Sequence, residues 1–364
     1  MISNIDKEFI FMPKSSIKAG NGKTVGLYPF FTSSDTKQLY IDEYLFDDEL
    51  IVIGTGGRPS CNYYNGKFSC STDNFALKSK GQVKAKYLYY FLRKHNLSVL
   101  QQGFHGAGLQ HIGKDYVKNI KINVESQEKQ NKIIKNLDSI SKIVENKQKE
   151  LKRLDEIIKS RFIEMFGRIN DTEYKVFTIA DLCEFVKDGT HQTPTYTDDT
   201  INGYKFLSSK DVTSGKIDWS NIKYIPEELH EKLYKTIKPQ RNDILLAKNG
   251  TTGIAALVET DDIFDIYVSL AILRFKQNNN PKFMLYAINN DDTKEQFDES
   301  LKGVGVPNLH LGEIKKTKLI VPPIELQNEY VKFIEQVDKS KFSVQKEIEL
   351  YQELLDKKMD EYFG

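Results

Sequence analysis

The sequence predicts an α+β fold: two globular mixed α/β domains joined by two long antiparallel coiled-coil helices, with an internal pseudo-two-fold repeat. Three observations predict it. Gln127 to Phe166 and Gln327 to Phe363 are long polar segments whose apolar residues recur at steps of four and three. The stretches before them share one order of aromatic strand, acidic turn, apolar strand and glycine loop. Both segments close on Phe-Gly, at Phe166-Gly167 and Phe363-Gly364, which indicates a duplicated chain.

The first seam is Ile133, Leu137, Ile140, Val144, Leu151, Leu154 and Ile158, with Lys147 as a polar interruption. The second is Tyr330, Ile334, Val337, Val344, Ile348, Tyr351, Leu355 and Tyr362, interrupted by Lys341 and Lys358. This is the narrow a/d stripe of a coiled coil rather than the wider face of a helix lying on a globular core. No glycine or proline interrupts the first segment before Gly167, so it can run to about 55–60 Å. A seam of that length needs a partner helix, and the second segment supplies it. Both segments open with a glutamine (Gln127 and Gln327) and carry an aspartate eleven residues later (Asp138 and Asp338). The seam lysines are expected to lay their stems along the apolar stripe with their heads in solvent, favouring one register over slipped ones.

The expected boundaries are a globular domain over 1–125, a helix over 126–167, a second domain over 168–325 and a helix over 326–364. In the first domain, Gly26 to Thr32 and Leu50 to Ile53 read as strands, Ala85 to Arg93 as a short helix, and Val117 to Val124 as a strand. In the second domain, Gly203 to Ser209 matches Gly26 to Ser34, and Asn242 to Gly250 matches Asp48 to Gly56. Lys282 to Ile288 matches Lys86 to Leu92, and Gly305 to Gly312 matches Gly106 to Gly113, which sets His310 against His111. These two histidines are expected to bond a backbone carbonyl near the strand. Asp115 and Glu313, near the helix starts, read as solvated charges. The second domain opens with an extra piece, Val176 to Thr200, that the first largely lacks. The first domain therefore reads as a shortened version, or as starting downstream of an ancestral start.

Composition excludes more than it selects. Lys+Arg is 52 against Asp+Glu 51, so net charge argues neither for nor against a polyanionic partner. Hydrophobic content of 39% and charged content of 28% suit a globular protein with long charged helices. The N-terminal stretch has no signal-like apolar run and no 18-residue apolar segment follows, so a cytoplasmic protein without a membrane partner is expected. The three cysteines, Cys61, Cys70 and Cys183, are odd in number and lack CxxC spacing, which argues against a zinc site or disulfide framework. HExxH, GxSxG and P-loop patterns are absent, as are the Asn-Pro-Pro-aromatic motif of adenine methylation and a glycine fingerprint for a methyl-donor cofactor. Asp261-Asp262 and Asp291-Asp292 read as loop charges rather than a nuclease metal site. No catalytic residue, cofactor or metal is expected, and catalysis falls to partners.

One family brings these features together. The duplicated glycine–strand–glycine patterns, Lys175-Val-Phe-Thr-Ile-Ala-Asp-Leu-Cys-Glu184, Lys187-Asp-Gly-Thr-His-Gln-Thr-Pro194, and Val321-Pro-Pro-Ile-Glu-Leu-Gln327 leading into the second helix resemble the specificity subunits of type I restriction-modification systems. The resemblance covers essentially the whole chain. It departs in two places: Asn-Val-Glu-Ser-Gln127 leads into the first helix instead of the Pro-Pro form, and the first domain lacks the usual opening. The resemblance implies two target recognition domains, each reading half of a bipartite double-stranded DNA sequence. It implies that the two helices pack antiparallel as a spacer and that type I DNA methyltransferase (M) subunits dock on them. A restriction/translocase (R) subunit is a further partner that such complexes can add. The physics fits independently: a rigid helical pair converts a separation in ångströms into one in base pairs, at ~34 Å per DNA turn.

Within that reading, DNA contacts belong to loops that combine glycine with basic and amide side chains. Glycine lets backbone amides approach phosphate, and Arg, Lys, Asn and Gln reach base edges. The candidates are Arg58, Ser60, Asn62, Tyr63, Tyr64, Lys67 and His105 in the first domain. In the second they are Thr190, His191, Gln192, Thr193, Lys210, Lys248, Asn249, Thr251 and Thr252. The run from Lys187 to Pro194 is the sharpest signal, because Thr190 to Thr193 are four consecutive side chains that can hydrogen-bond; its plainer reading is a polar turn closed by Pro194. The rival function from another class is a coiled-coil adaptor that binds proteins and no specific DNA.

Overall fold

The computed structural model describes the chain except residues 35–37, 213–214 and 302–306, and the side chains of His95 and Asn96. It divides into two compact units: unit 1 is Met1–Leu151 with Ser343–Gly364, and unit 2 is Lys152–Phe342. Each unit thus owns a globular domain, part of one long helix and part of the other.

Unit 1 opens with β1 (Ile2–Asn4), α1 (Ile5–Glu8) and β2 (Phe9–Phe11). It continues with β3 (Tyr28–Phe31), β4 (Leu39–Ile41), β5 (Phe46–Gly54), β6 (Cys61–Cys70) and β7 (Asn74–Ser79). Helix α2 (Ala85–Gln101), β8 (Phe104–His105), β9 (His111–Ile112), α3 (Lys114–Asn119) and β10 (Lys121–Asn123) lead into α4 (Gln127–Phe166). The main sheet has the order β2-β7-β5-β6-β3-β4, with β3 parallel to β6 and the other pairs antiparallel.

Unit 2 follows the same general order, with the helices Glu227–Tyr234 and Asp291–Ser300 as additions. Its opening is β11 (Lys175–Thr178), α5 (Ile179–Leu182) and β12 (Cys183–Asp188). There follow β13 (Tyr204–Leu207), β14 (Lys223–Ile225), α6 (Glu227–Tyr234), β15 (Ile244–Ala247), β16 (Ala255–Leu257), β17 (Phe264–Ile266) and β18 (Leu270–Phe275). Then come α7 (Pro281–Ile288), α8 (Asp291–Ser300), α9 (Leu311–Lys316), β19 (Lys318–Val321) and α10 (Ile324–Phe363). The long β6 of unit 1 is here split into β16 and β17, so the sheet becomes β12-β18-β15-β16 beside β14-β13-β17, with β13 parallel to β17.

The central strands are apolar without interruption because both faces are covered. In β5, Ile51 and Ile53 enter one core with Tyr87 and Leu88 of α2, Ile133 and Leu137 of α4 and Met359 of α10. Leu50 and Val52 enter another with Phe46 and Phe68. In β15, Ile244 and Leu246 face Phe283 of α7 and Tyr330 of α10, while Leu245 and Ala247 face Phe264. The seam residues of both long helices are buried or half-buried. Their contacts run antiparallel inside each unit. In unit 1, Asn136 donates to the Tyr362 hydroxyl at 2.9 Å and Lys147 pairs with Glu347 at 2.9 Å. In unit 2, Tyr330 donates to the Ile158 carbonyl at 2.9 Å and Lys341 pairs with Asp155. The seam lysine heads are therefore ion-paired rather than simply solvated: Lys147 and Lys341 to the opposite helix, Lys358 to Glu361 of its own at 2.6 Å.

Four expectations change. Residues 117–124 are not one strand: α3 occupies Lys114–Asn119, and only Lys121–Asn123 pair, with β1. Helix α2 extends past Arg93 to Gln101. The first domain does not lack the opening: β1-α1-β2 is the counterpart of β11-α5-β12. Ile5 donates to the Ile120 carbonyl at 3.0 Å just as Ile179 donates to that of Thr317 at 2.9 Å. The register of the repeat also shifts. Gln327 corresponds to Gln130 and not to Gln127, which is exposed at the start of α4. Gln130 and Gln327 are both buried. The Gln130 side-chain oxygen accepts the Lys84 N–H at 2.9 Å and its amide donates to the Glu125 carbonyl at 2.9 Å. Gln327 accepts from the Asn280 N–H at 2.9 Å and donates to the Pro322 carbonyl at 2.9 Å. Each clamps the residue that caps the next helix, Lys84 before α2 and Asn280 before α7.

Candidate DNA interface

In unit 1 the loop after β5 reverses on itself, with Gly54 donating to the Ser60 carbonyl at 3.0 Å. A Cβ on Gly54 would come within 2.2 Å of the Ser60 hydroxyl, so only glycine closes this turn. The loop is then stitched to the β8–β9 ribbon. Ile112 donates to the Thr55 carbonyl at 3.0 Å and Gly57, at φ +82°, donates to that of Gln110 at 2.9 Å. Gly56 bridges His111, whose own partner across the ribbon is His105. Arg58, His105, Gln110 and His111 are all exposed on this joined edge. The fold thus brings together Arg58 and His105, forty-seven positions apart in sequence.

Other candidates of unit 1 fall elsewhere. Ser60 is buried and its hydroxyl makes no hydrogen bond among the described residues, so it does not present itself to a groove. Tyr63 turns toward α2: its hydroxyl donates to Glu49 at 2.8 Å and its ring lies against Tyr89. Burial pushes its phenol pKa up. Tyr64 points to the opposite face and packs on Phe31 and Phe68, while Asn62 on that face is half-buried. Lys67 is exposed and stands opposite Asp47 in the β5–β6 ladder, six residues along β6 from the Cys61–Ile53 register pair that adjoins the loop. At about 3.3 Å per residue it lies roughly 20 Å from the Arg58 edge.

Unit 2 builds the same edge. Lys248 occupies the place of Thr55: Leu309 donates to its carbonyl at 2.8 Å, and Asn249 bridges Asn308 as Gly56 bridges His111. The true counterparts are therefore Ile112 with Leu309 and His111 with Asn308, while Gly305 and Val306 of the expected match lie outside the described residues. His310 corresponds to Gly113, the residue preceding the short helix. Neither His111 nor His310 bonds a backbone carbonyl through its ring among the described residues; both are exposed. In His310 it is the backbone carbonyl that accepts, from Glu313 and Ile314.

The 188–193 run joins this edge through the turn at Tyr267. Thr190 donates to the Ile266 carbonyl at 3.1 Å and accepts from the Val268 N–H at 3.0 Å. Ser269 is the hub that sequence reading missed. Its carbonyl accepts the Lys248 N–H at 2.9 Å and its hydroxyl accepts the Ser209 N–H at 3.0 Å, which places Lys210 beside the same loops. In unit 1, Asp73 fills this role, accepting from Thr55 at 2.9 Å and from the Ser33 hydroxyl. A small polar residue between two strands carries no local signal of such a role. His191, Gln192, Thr193, Lys210 and Thr251 are exposed, and Thr190, Asn249 and Thr252 half-buried. Lys248 is not: its side chain is 7% exposed and its ammonium donates to Asp188 at 2.8 Å. That carboxylate also meets His191 at 3.2 Å. Lys248 therefore supports the run instead of reaching a groove.

The described residues hold no group of three or more His, Cys, Asp or Glu placed to bind a metal ion. The cysteines are free and buried, and burial pushes each thiol up to about 12. No described helix is long and apolar enough to cross a membrane.

The class that these observations define is a duplicated α/β protein whose two units present matching loop edges. The chain matches the type I restriction modification DNA specificity domain over residues 8–156 and 171–353, and it belongs to that family. It is 23% identical over 332 residues to the type I restriction enzyme MjaVIII specificity subunit of Methanocaldococcus jannaschii, covering 86% of this chain and 76% of that one. A similar relation, 22% identity over 94% of this chain and 90% of the other, holds with a putative type I specificity subunit of Haemophilus influenzae. Two solved structures share the fold. One is a chain from a structure of type I R-M complex assembly and conformational transition (TM-score 0.58, 14% identity, 100% and 97% covered). The other is the type I S subunit of M. genitalium (TM-score 0.51, 15% identity, 100% and 96% covered).

Proposed function

We infer that this chain is the non-catalytic DNA-sequence-recognition subunit of a type I restriction-modification complex, and that it reads a bipartite duplex target. Residues 1–125 and 168–325 act as target recognition domains. The helices over 126–167 and 326–364 form an antiparallel coiled-coil spacer that sets the unread gap. Methyltransferase subunits dock on these helices and supply catalysis, a restriction/translocase subunit can join, and the complex works in the cytoplasm. Arg58, Asn62 and His105 contact DNA from unit 1. Thr190, His191, Gln192, Thr193, Lys210, Asn249, Thr251 and Thr252 contact it from unit 2.

The observation that carries this reading is the repetition of one loop edge. Thr55 with Ile112 and Lys248 with Leu309 make the same stitch in two units of one chain. A protein adaptor has no need for two matching polar edges, whereas a two-part DNA target does. The test is a swap of residues 177–325 for an unrelated recognition block. One half of the recognised sequence changes and the other half stays. Unchanged recognition after the swap contradicts the bipartite reading.

A further inference from the structure

Unit 2 contains a cavity of about 540 Å³ that the DNA-contact loops do not account for, and the 188–191 segment forms one wall of it. That volume lies within the roughly 300–1,000 Å³ of sites that enclose small molecules. Among its lining residues is Asp265 of β17, which is 2% exposed. One oxygen of this carboxylate meets His230 Nδ1 at 2.6 Å. His230 is itself buried on α6 and stacked on Tyr204, with ring centroids 3.7 Å apart and planes 9° apart. The carboxylate is thus fixed in direction. Its second oxygen takes no hydrogen bond from the described residues, although Asp265 lines the cavity. Burial raises its pKa against the opposing pull of His230. His230 satisfies one oxygen of this buried acid, and the other remains available to a donor that enters the cavity.

The walls have a consistent chemistry. Leu233, Ile237 and Pro239 line the cavity, as do Val186, Ile266 and Leu311. Apolar walls of this kind suit the faces of a planar ring. Lys187, His191 and Lys315 add cationic or hydrogen-bonding groups. Gly189 closes the wall next to β17: a Cβ there would lie 2.1 Å from the Ile266 carbonyl oxygen, so only a glycine lets the strand approach. A flat apolar body, a donor for a fixed carboxylate oxygen and an anionic group for the lysines together describe a nucleotide.

We propose that this cavity binds one nucleotide whose base carries an exocyclic amine, either unstacked from bound DNA beside the 188–193 run or free in solution. The amine of adenine, cytosine or guanine donates to the unbonded Asp265 oxygen. Thymine is disfavoured, because its single ring N–H is flanked by two carbonyl oxygens that a carboxylate repels. The phosphate lies toward Lys187 and Lys315. The DNA source rests on the reading of unit 2 as a recognition domain; the free source does not.

The experiment uses the chain assembled with its methyltransferase partner. Fluorescent 2-aminopurine or pyrrolocytosine replaces one base at a time across the half-site assigned to unit 2. In parallel, AMP, CMP and TMP are tested for binding without DNA by equilibrium dialysis. The expected result is a brightening at one position, or binding of AMP or CMP over TMP, which Ile237→Trp abolishes by filling the cavity. That variant still folds and assembles with the methyltransferase partner, read by its Tm and by co-elution. Asp265→Asn keeps the shape and an acceptor for His230 but can turn a donor to the cavity, so preference for the amine-bearing base falls about tenfold. The proposal is overturned if no position brightens and no nucleotide binds, or if the signal survives both substitutions. Loss of sequence-specific DNA binding by the unaltered complex would instead strike the recognition reading, and the free-nucleotide arm would still decide the pocket.

Discussion

Lys248 and Asp188 form an ion pair at 2.8 Å directly behind the 188–193 run, with side chains 7% and 19% exposed. Sixty residues apart in sequence, they join the loop after β15 to the end of β12. Removing one partner leaves a charge in a poorly solvated place. Lys248→Met is therefore expected to destabilise unit 2 by about 3 kcal/mol, read as a drop in Tm. A neutral effect would mean that the pair is solvated and the lysine free for DNA.

The same pair predicts a pH dependence. Burial raises the Asp188 pKa, but the hydrogen bond and charge of Lys248, with the charge of His191, outweigh it and hold the carboxyl below the usual range. Stability from a depressed carboxylate is complete above the unfolded value of about 3.9 and is lost as pH falls through the lower folded value. Urea unfolding should show wild type more stable than Asp188→Asn at neutral pH, with the gap shrinking below about pH 4. A gap that widens on acidification would reverse the sign and reject the account.

Arg58 and Lys67 separate contact from mere charge. Arg58 sits on the stitched edge with His105, whereas Lys67 lies at the far end of β6 with its ammonium over the Tyr44 ring. Arg58→Ala should weaken binding and reduce the salt slope of affinity by about 0.9, one phosphate contact. Lys67→Ala should leave that slope unchanged. Equal effects would show that the interface extends along the whole strand.

The two buried glutamines test the duplication energetically. Gln130→Ala strands the Lys84 N–H and Gln327→Ala strands the Asn280 N–H. Each should cost about 2 kcal/mol in chemical denaturation. An effect from only one of them would mean that the shared geometry does not carry shared stability.

The long helices were legible because their signal is local and periodic. Residues 127–166 form α4 over the stretch the seam marks out, and α10 begins three residues before Gln327 because Pro322 and Pro323 can start a helix but not sit inside one. The order of strands and glycine loops was legible for the same reason. The opening at Ile2–Phe11 was not: its pairing with β10 lies more than a hundred residues away, and its local pattern is too short to read. The register of the repeat slipped because Gln127 and Gln130 are the same residue type, and only burial tells them apart. Among the proposed DNA contacts, loop composition picked out Arg58, His105 and His191 to Thr193, which are exposed, but it also admitted Ser60 and Lys248, which are buried, and Tyr63, which turns toward α2. Whether a polar side chain faces solvent depends on strands far along the chain, as Ser269 shows by anchoring Lys248 and Ser209 together.

The proposed reading of two halves of one DNA target by one chain predicts a signature in DNA methylation. The most direct measurement is a genome-wide map of methylated bases in the source cell, with and without this gene. A two-part motif with a fixed unread gap, present in the first map and absent from the second, is the predicted result. Identical maps from cells in which the methyltransferase partner is present and active would contradict it.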